Sequence, residues 1–317
     1  GYKFLFITFL IIIFIPFNIS ALEINSEHAI LYNLNDDEVI FEKNADEKTY
    51  IASLTKIMTT IVAIENIDDV NEKVIVPYEG LEGLIEANAS VAGFRLNQEV
   101  TYLDLLYGVL LPSGADATKT LAYYIAGNEE NFVSLMNAKA KELGLVNTHF
   151  VNTSGLDTDN HYSTVREVSI ILKYALNNPL FKQIYTTDRY TTSDNSLTFK
   201  SVYSNYLDRY NIENKYIYGS KTGFTTKAGY CLSSIANYDG VEYMLITTNA
   251  DGESNTPLHV MDANMIYDYY TSNYHYLDII NIDDTLVTLD TKNSKEKKLE
   301  IKADEALAKY LNKDIKK

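Results

Sequence analysis

Between Tyr218 and Asn249 the chain carries three strand-like runs, Tyr218 to Gly223, Tyr230 to Ala236 and Tyr243 to Asn249, close enough in sequence to be successive strands of one antiparallel sheet. The last two are separated by Asn237-Tyr-Asp-Gly240, whose Asp-Gly step suits a tight hairpin. Near the other end, Ala29 to Phe41 reads as two more strands joined by a turn at Asn35-Asp36-Asp37. Apolar residues at helical spacing fill the interval: Ser53 to about Asn66, Val100 to Ala126 with a break at Leu111-Pro-Ser-Gly114, Asn131 to Leu143 ending at Gly144, and Thr164 to Asn177. Proline and glycine at the break leave Ser113 on a loop. One more helix, about Leu258 to Tyr270, follows the strands. After Tyr274-His-Tyr276 the character changes, and Thr285 to Asp290 and Lys298 to Lys302 are short strand-like runs among charged residues, too little for a stable sheet alone.

A chain of 317 residues can bury one large core and add a smaller piece. The expected division is 1-21, 22-275 and 276-317. Residues 1-21 stand apart, because one lysine precedes a continuous apolar stretch up to Phe17 and Asn18-Ile-Ser-Ala21 follows it. The stretch is short for a bilayer span, which needs about 20 residues, so it reads as a secretory signal with Ala21 at the cleavage position. The alternative of an uncleaved membrane anchor stays open. Because the chain begins at Gly1 instead of Met, further residues ahead of it are expected. The charge of −16, from 43 acidic and 27 basic residues, leaves no clustered basic surface, which excludes a nucleic-acid partner and argues against electrostatic docking on anionic lipid. The lone Cys231 forms no internal disulfide. With one cysteine and five scattered histidines (His28, His149, His161, His259, His275), metal-ligand spacing is absent, as are nucleotide-binding glycine motifs; no metal and no cofactor are expected.

Chemistry concentrates in Ile51-Ala-Ser-Leu-Thr-Lys-Ile-Met-Thr-Thr60, where Ser53 and Lys56 lie three residues apart on one face of the expected helix. A serine hydroxyl is a poor nucleophile without a base, and a lysine whose ammonium is desolvated or faces another cation can be that base. Alone, Ser53 is more often a helix cap. Two further segments follow, Leu110-Leu-Pro-Ser-Gly-Ala-Asp116 and Tyr218-Gly-Ser-Lys-Thr-Gly-Phe224. S-x-x-K, a serine loop and K-T-G, in that order, are the motif set of penicillin-binding proteins and class A β-lactamases.

From about Ala29 to Tyr274 the chain resembles the D-alanyl-D-alanine carboxypeptidases, the low-molecular-mass penicillin-binding proteins. Supporting segments are Ala29-Ile-Leu-Tyr-Asn, Phe41-Glu-Lys-Asn-Ala-Asp-Glu-Lys48, Phe150-Val-Asn-Thr-Ser-Gly-Leu-Asp157, His161-Tyr-Ser-Thr-Val-Arg-Glu167 and Ala228-Gly-Tyr-Cys-Leu232. The resemblance implies an α+β fold of the β-lactamase/transpeptidase-like kind. Its antiparallel sheet is flanked by helices with a helical subdomain, and the start of a small β-rich C-terminal domain follows. It implies a secreted serine peptidase that trims the terminal D-alanine from peptidoglycan stem peptides ending in D-Ala-D-Ala, with β-lactam antibiotics as covalent inhibitors.

By the same resemblance Ser53 is the nucleophile and Lys56 its base, while Ser113 relays a proton to the leaving amine or holds Lys56 in place. Lys221 adds positive charge that lowers the pKa of Lys56 and attracts the substrate carboxylate, which Thr222 hydrogen-bonds. Gly223 leaves room for substrate along the strand, and the N–H groups of Ser53 and Phe224 form the oxyanion hole. The chain departs from the pattern at Ala115, where relatives usually have Asn. His161 is expected to be structural and Cys231 packed. Two alternatives remain: a class A-like β-lactamase, which needs a Glu-bearing E-x-x-L-N loop not found between Ser113 and Lys221, and a catalytically decayed cell-wall-binding protein.

Overall fold

A computed structural model describes residues 22–292 and 298–315, so the signal expected over 1-21 lies outside the described residues. Strands β1 (His28–Asn33) and β2 (Glu38–Lys43) form the first hairpin. Its turn is closed by the Asn33 side chain, whose Oδ1 accepts from Asn35 N, and by Asp37 at positive φ. A single 3₁₀ turn, Ala52–Leu54, then leads into α1 (Thr55–Glu65). Ser53 is therefore on that tight turn, two residues ahead of the α-helix expected to carry it.

The helical lobe is built next, interrupted by a ribbon of β3 (Lys73–Ile75) and β4 (Glu99–Thr101). Helix α2 (Tyr102–Leu110) starts at a reciprocal cap in which Thr101 Oγ1 accepts from Asp104 N and the Asp104 carboxylate accepts from Thr101 N. Helices α3 (Ala115–Ala126), α4 (Glu129–Glu142) and α5 (Val165–Leu176) follow, the last two capped by Asn128 and Thr164. The short α6 (Pro179–Tyr185), the ribbon β5 (Arg189–Thr191) with β6 (Thr198–Lys200), and α7 (Val202–Tyr210) return the chain to the sheet.

Three long strands then run in sequence, β7 (Ile217–Thr225), β8 (Gly229–Tyr238) and β9 (Val241–Ala250), with Asp239 and Gly240 supplying the positive φ angles of the expected hairpin. Together with the first hairpin they make a five-stranded antiparallel sheet in the order β2-β1-β9-β8-β7. Both faces are covered, so the inner strands are buried along most of their length, with Ser233, Ser234, Thr247 and Thr248 set among the apolar residues. Ile30, Met244 and Ile246 point to a core shared with Ile57, Met58, Leu106, Phe132 and Ile171. The alternate residues Leu31, Leu232, Tyr243 and Leu245 point to a second core closed by Val260, Ile266 and Tyr267 of α8 (Leu258–Asn273). Each such side chain removed from water contributes roughly 1.5–3 kcal/mol.

Helix α8 passes at once into β10 (Tyr274–Ile280), followed by β11 (Thr285–Asp290), β12 (Lys298–Lys302) and β13 (Leu307–Asn312). β11 pairs only with β12, while β13 pairs with β10 and sends Tyr310 into the second core, its hydroxyl 2.6 Å from that of Tyr243. Among the described residues no helix is long and apolar enough to cross a membrane.

Candidate active site

The strained centre of the site is the turn before α1. Ala52 sits at φ +46 and places Ser53 at the mouth of a cleft of about 890 Å³. Lys56, in the first turn of α1, reaches back with Nζ 3.0 Å from Ser53 Oγ. The lysine is 2 % exposed, and burial lowers its pKa from 10.5 to about 7 against an opposing pull from Asp116. Near neutral pH its amine is thus substantially uncharged and able to take a proton from the serine.

What holds that amine was not foreseen from the motifs. Lys56 Nζ donates to the main-chain carbonyl of Ser154 at 2.7 Å. The loop that delivers this carbonyl is itself tied down. Asn152 Oδ1 accepts from Ser154 N and Gly155 N, Thr153 N and Oγ1 donate to the Glu129 carboxylate, and Thr59 Oγ1 donates to Thr153 O. Gly155, at φ +88, passes so close beneath the nucleophile turn that a Cβ there would lie 1.8 Å from Ala52 O. The segment Phe150-Val-Asn-Thr-Ser-Gly-Leu-Asp157 supported the resemblance, yet a carbonyl carries no side-chain signal, which is why its role went unread. His161 is structural, as expected. Its Nδ1 accepts from Val151 N, so Nε2–H faces Thr55 Oγ1 at 2.8 Å, and burial lowers its pKa to about 4.

Ser113 sits at φ +66 on the loop between α2 and α3, and its Oγ accepts from Lys221 Nζ at 2.8 Å. No hydrogen bond joins it to Lys56 among the described residues, so the expectation that it holds that amine gives way to the Ser154 carbonyl. Lys221 projects from β7, the edge strand of the sheet, and is 2 % exposed. Burial drives its pKa well below the ordinary lysine value, and the neighbouring Lys56 adds like-charge repulsion. For Lys56 the main cause of depression is burial rather than the charge of Lys221, as the motifs had suggested.

Thr222, Gly223 and Phe224 continue along the same cleft wall. The close approach of the Ser53 turn adds a reason for glycine at 223 to the one expected: a Cβ would meet Ser53 N at 2.9 Å and Ala52 Cβ at 3.1 Å, so the nucleophile turn needs the space. This contact lays the β7 main chain directly beside the Ser53 N–H. Phe224 turns its ring outward onto Tyr230.

Across the cleft, Ala115 is buried at the start of α3 and its N–H donates to Ser90 O at 2.8 Å. Asp116 acts below it: its carboxylate accepts from the N–H groups of Ala92, Gly93, Phe94 and Ala117, pinning the segment that carries Ala87 to Ser90 along the cleft. Asp157, the one carboxylate lining the cleft among the described residues, is engaged on both oxygens by Thr225 Oγ1 and Lys227 N. Cys231 is buried, its thiol pushed up to about 12. No group of three or more His, Cys, Asp or Glu side chains among the described residues is placed to hold a metal ion.

A nucleophile beside a partly neutral amine, a second buried lysine and an open strand edge together suit acyl transfer on an extended peptide. Known proteins agree with that chemistry. The sequence model of the D-alanyl-D-alanine carboxypeptidase family, peptidase family S11, matches residues 16–252. The D-alanyl-D-alanine carboxypeptidase DacF of Bacillus subtilis is 29% identical over 290 residues, 91% of this chain and 73% of its own length. The D-alanyl-D-alanine endopeptidase of Escherichia coli is 32% identical over 249 residues, 77% of this chain and 76% of its own. Among solved structures, the Streptomyces K15 DD-transpeptidase superposes with a TM-score of 0.69 at 29% identity, covering 78% of this chain and 97% of that one.

Proposed function

Since the chain belongs to the D-alanyl-D-alanine carboxypeptidase family of penicillin-binding serine peptidases, we propose that it removes the terminal D-alanine from peptidoglycan stem peptides through an acyl-enzyme on Ser53. The observation that carries this reading is the 3.0 Å contact between Ser53 Oγ and the buried Lys56 amine, at the foot of a cleft whose opposite wall is the free edge of β7.

The stem peptide lies extended against β7. Ser53 Oγ attacks the carbonyl carbon between the two terminal residues while its proton passes to neutral Lys56 Nζ. Charge gathering on the carbonyl oxygen is met by the N–H groups of Ser53 and Phe224, a role supported by the approach of Gly223 to Ser53 N. The C–N bond then breaks, the leaving amine takes a proton from the Lys56 ammonium with Ser113 alongside, and D-alanine departs. Water hydrolyses the ester by the same route in reverse. The terminal carboxylate is held by Lys221 and Thr222; a bound anion beside Lys221 favours the charged form that burial disfavours. β-Lactams acylate Ser53 in the same way. The apolar segment before Ala21 supports export across the cytoplasmic membrane, with membrane attachment as its variant.

A β-lactamase is less well supported, because no glutamate lines the cleft among the described residues; the one carboxylate there, Asp157, accepts from Thr225 Oγ1 and Lys227 N. Intact-mass measurement after exposure to penicillin, on wild type and Ser53→Ala, tests the reading. A stable adduct present only in wild type, with D-alanine released from a D-Ala-D-Ala peptide, is expected. Intact penicillin with no adduct would point to a decayed binder, and destroyed penicillin with no adduct to a β-lactamase.

A further inference from the structure

A peptide that adds to the edge of β7 turns alternate N–H and C=O groups away from the strand, toward the opposite wall of the cleft. That wall is made by Ser113 and by residues 87–90. The Ser113 hydroxyl is committed to Lys221 Nζ, and Ala115 contributes only a buried methyl group. The segment above it is fixed: Ser90 O accepts from Ala115 N at 2.8 Å, and the Asp116 carboxylate grips the N–H groups of residues 92–94. On that segment Asn88 lines the cleft at φ +49, and its side chain makes no hydrogen bond among the described residues. It is the one carboxamide among the described lining residues.

We infer that the Asn88 carboxamide binds the substrate's peptide group on the side facing away from β7, donating through Nδ2 to its carbonyl and accepting at Oδ1 from its N–H. A carboxamide presents one acceptor and two donors in a plane, so it can meet both groups of a peptide unit at once. The inference rests on the proposed acyl transfer at Ser53 and assigns the substrate-reading group of the wall opposite the strand.

Glycine and aspartate both tolerate the positive φ of Asn88, so Asn88→Gly removes the carboxamide and Asn88→Asp removes its donor without straining the backbone. With a diacetyl-L-lysyl-D-alanyl-D-alanine tripeptide as probe, Asn88→Asp is expected to lower kcat/KM by about tenfold, the worth of one well-placed hydrogen bond, and Asn88→Gly, which loses both bonds, by about a hundredfold, with the melting temperature unchanged. Ile85→Ala, on the same segment but 91% exposed and outside the cleft lining, keeps the wild-type rate. Wild-type turnover by either Asn88 variant, or an equal loss in Ile85→Ala, overturns the inference. Failure of the wild type itself to be acylated by penicillin would instead overturn the reading of Ser53.

Discussion

Replacing Lys56 by methionine should make the protein more stable and inactive at once, and the gain should depend on pH in a way that can be worked out beforehand. An unfolded lysine titrates at its ordinary value of 10.5, the folded one at about 7. Above pH 10.5 both states hold a neutral amine and burial carries no ionic cost. As pH falls from 10.5 to 7 the unfolded chain takes up a proton that the folded chain refuses, so folding loses about 1.4 kcal/mol per pH unit, reaching about 5 kcal/mol below pH 7. Methionine keeps the volume without titrating. It also leaves the Ser154 carbonyl unpaired, which costs about 1–3 kcal/mol at every pH. Lys56→Met should therefore be about 2–4 kcal/mol more stable than wild type at pH 7 and slightly less stable at pH 10. Urea unfolding of both proteins at half-unit pH steps reads the difference, to which Lys221, relieved of the Lys56 charge in the variant, adds in the same direction. A stability difference that stays flat from pH 7 to pH 10 would refute the burial-driven depression of the Lys56 pKa.

The rate constant for acylation by a fluorescent penicillin should fall about tenfold per pH unit below pH 7, as Lys56 becomes charged, and level off above pH 8; a flat profile from pH 5 to 8 would exclude Lys56 as the base. Gly155→Ala should lower stability by more than about 3 kcal/mol and abolish acylation, because its Cβ would overlap Ala52 O at a backbone angle that disfavours alanine; thermal unfolding checks it. Gly223→Ala should cost about 1–3 kcal/mol yet slow acylation disproportionately, because the displaced atoms are Ser53 N and its neighbour. Asp116→Ala should destabilise by about 3–5 kcal/mol by freeing the four N–H groups its carboxylate binds, measured by urea unfolding.

Long periodic segments were legible: the first hairpin, α1 to α5, the three consecutive strands and α8 all lie where apolar spacing and turn residues put them. Helix α7 went unread although Tyr203, Tyr206, Leu207 and Tyr210 recur at helical spacing, because that stripe is mostly tyrosine in a polar segment and only Tyr203 is buried. α6 carried a readable start, Asn178 before Pro179, but at seven residues it is too short for periodicity. The motifs named the side chains that meet in the cleft and said nothing of what holds them. The Ser154 carbonyl, the positive φ of Ala52 and the clamp made by Asp116 arise from chain segments meeting in three dimensions. The same is true of Gly223, whose close approach to the Ser53 turn adds a reason for glycine that the motif did not carry.

The order β2-β1-β9-β8-β7 also dictates when the domain can become itself. Ala29 of β1 pairs with Thr247 of β9, so the strand beside the first hairpin comes from more than two hundred residues later. A chain delivered from its N-terminus holds that hairpin, and the nucleophile turn after it, without a lasting partner until almost the whole sheet has arrived. Closing so large a loop is slow, because its entropy is lost before any strand contact returns it. Catalytic competence therefore appears late and all together, and a nascent or partly delivered chain has no half-built cleft with which to react.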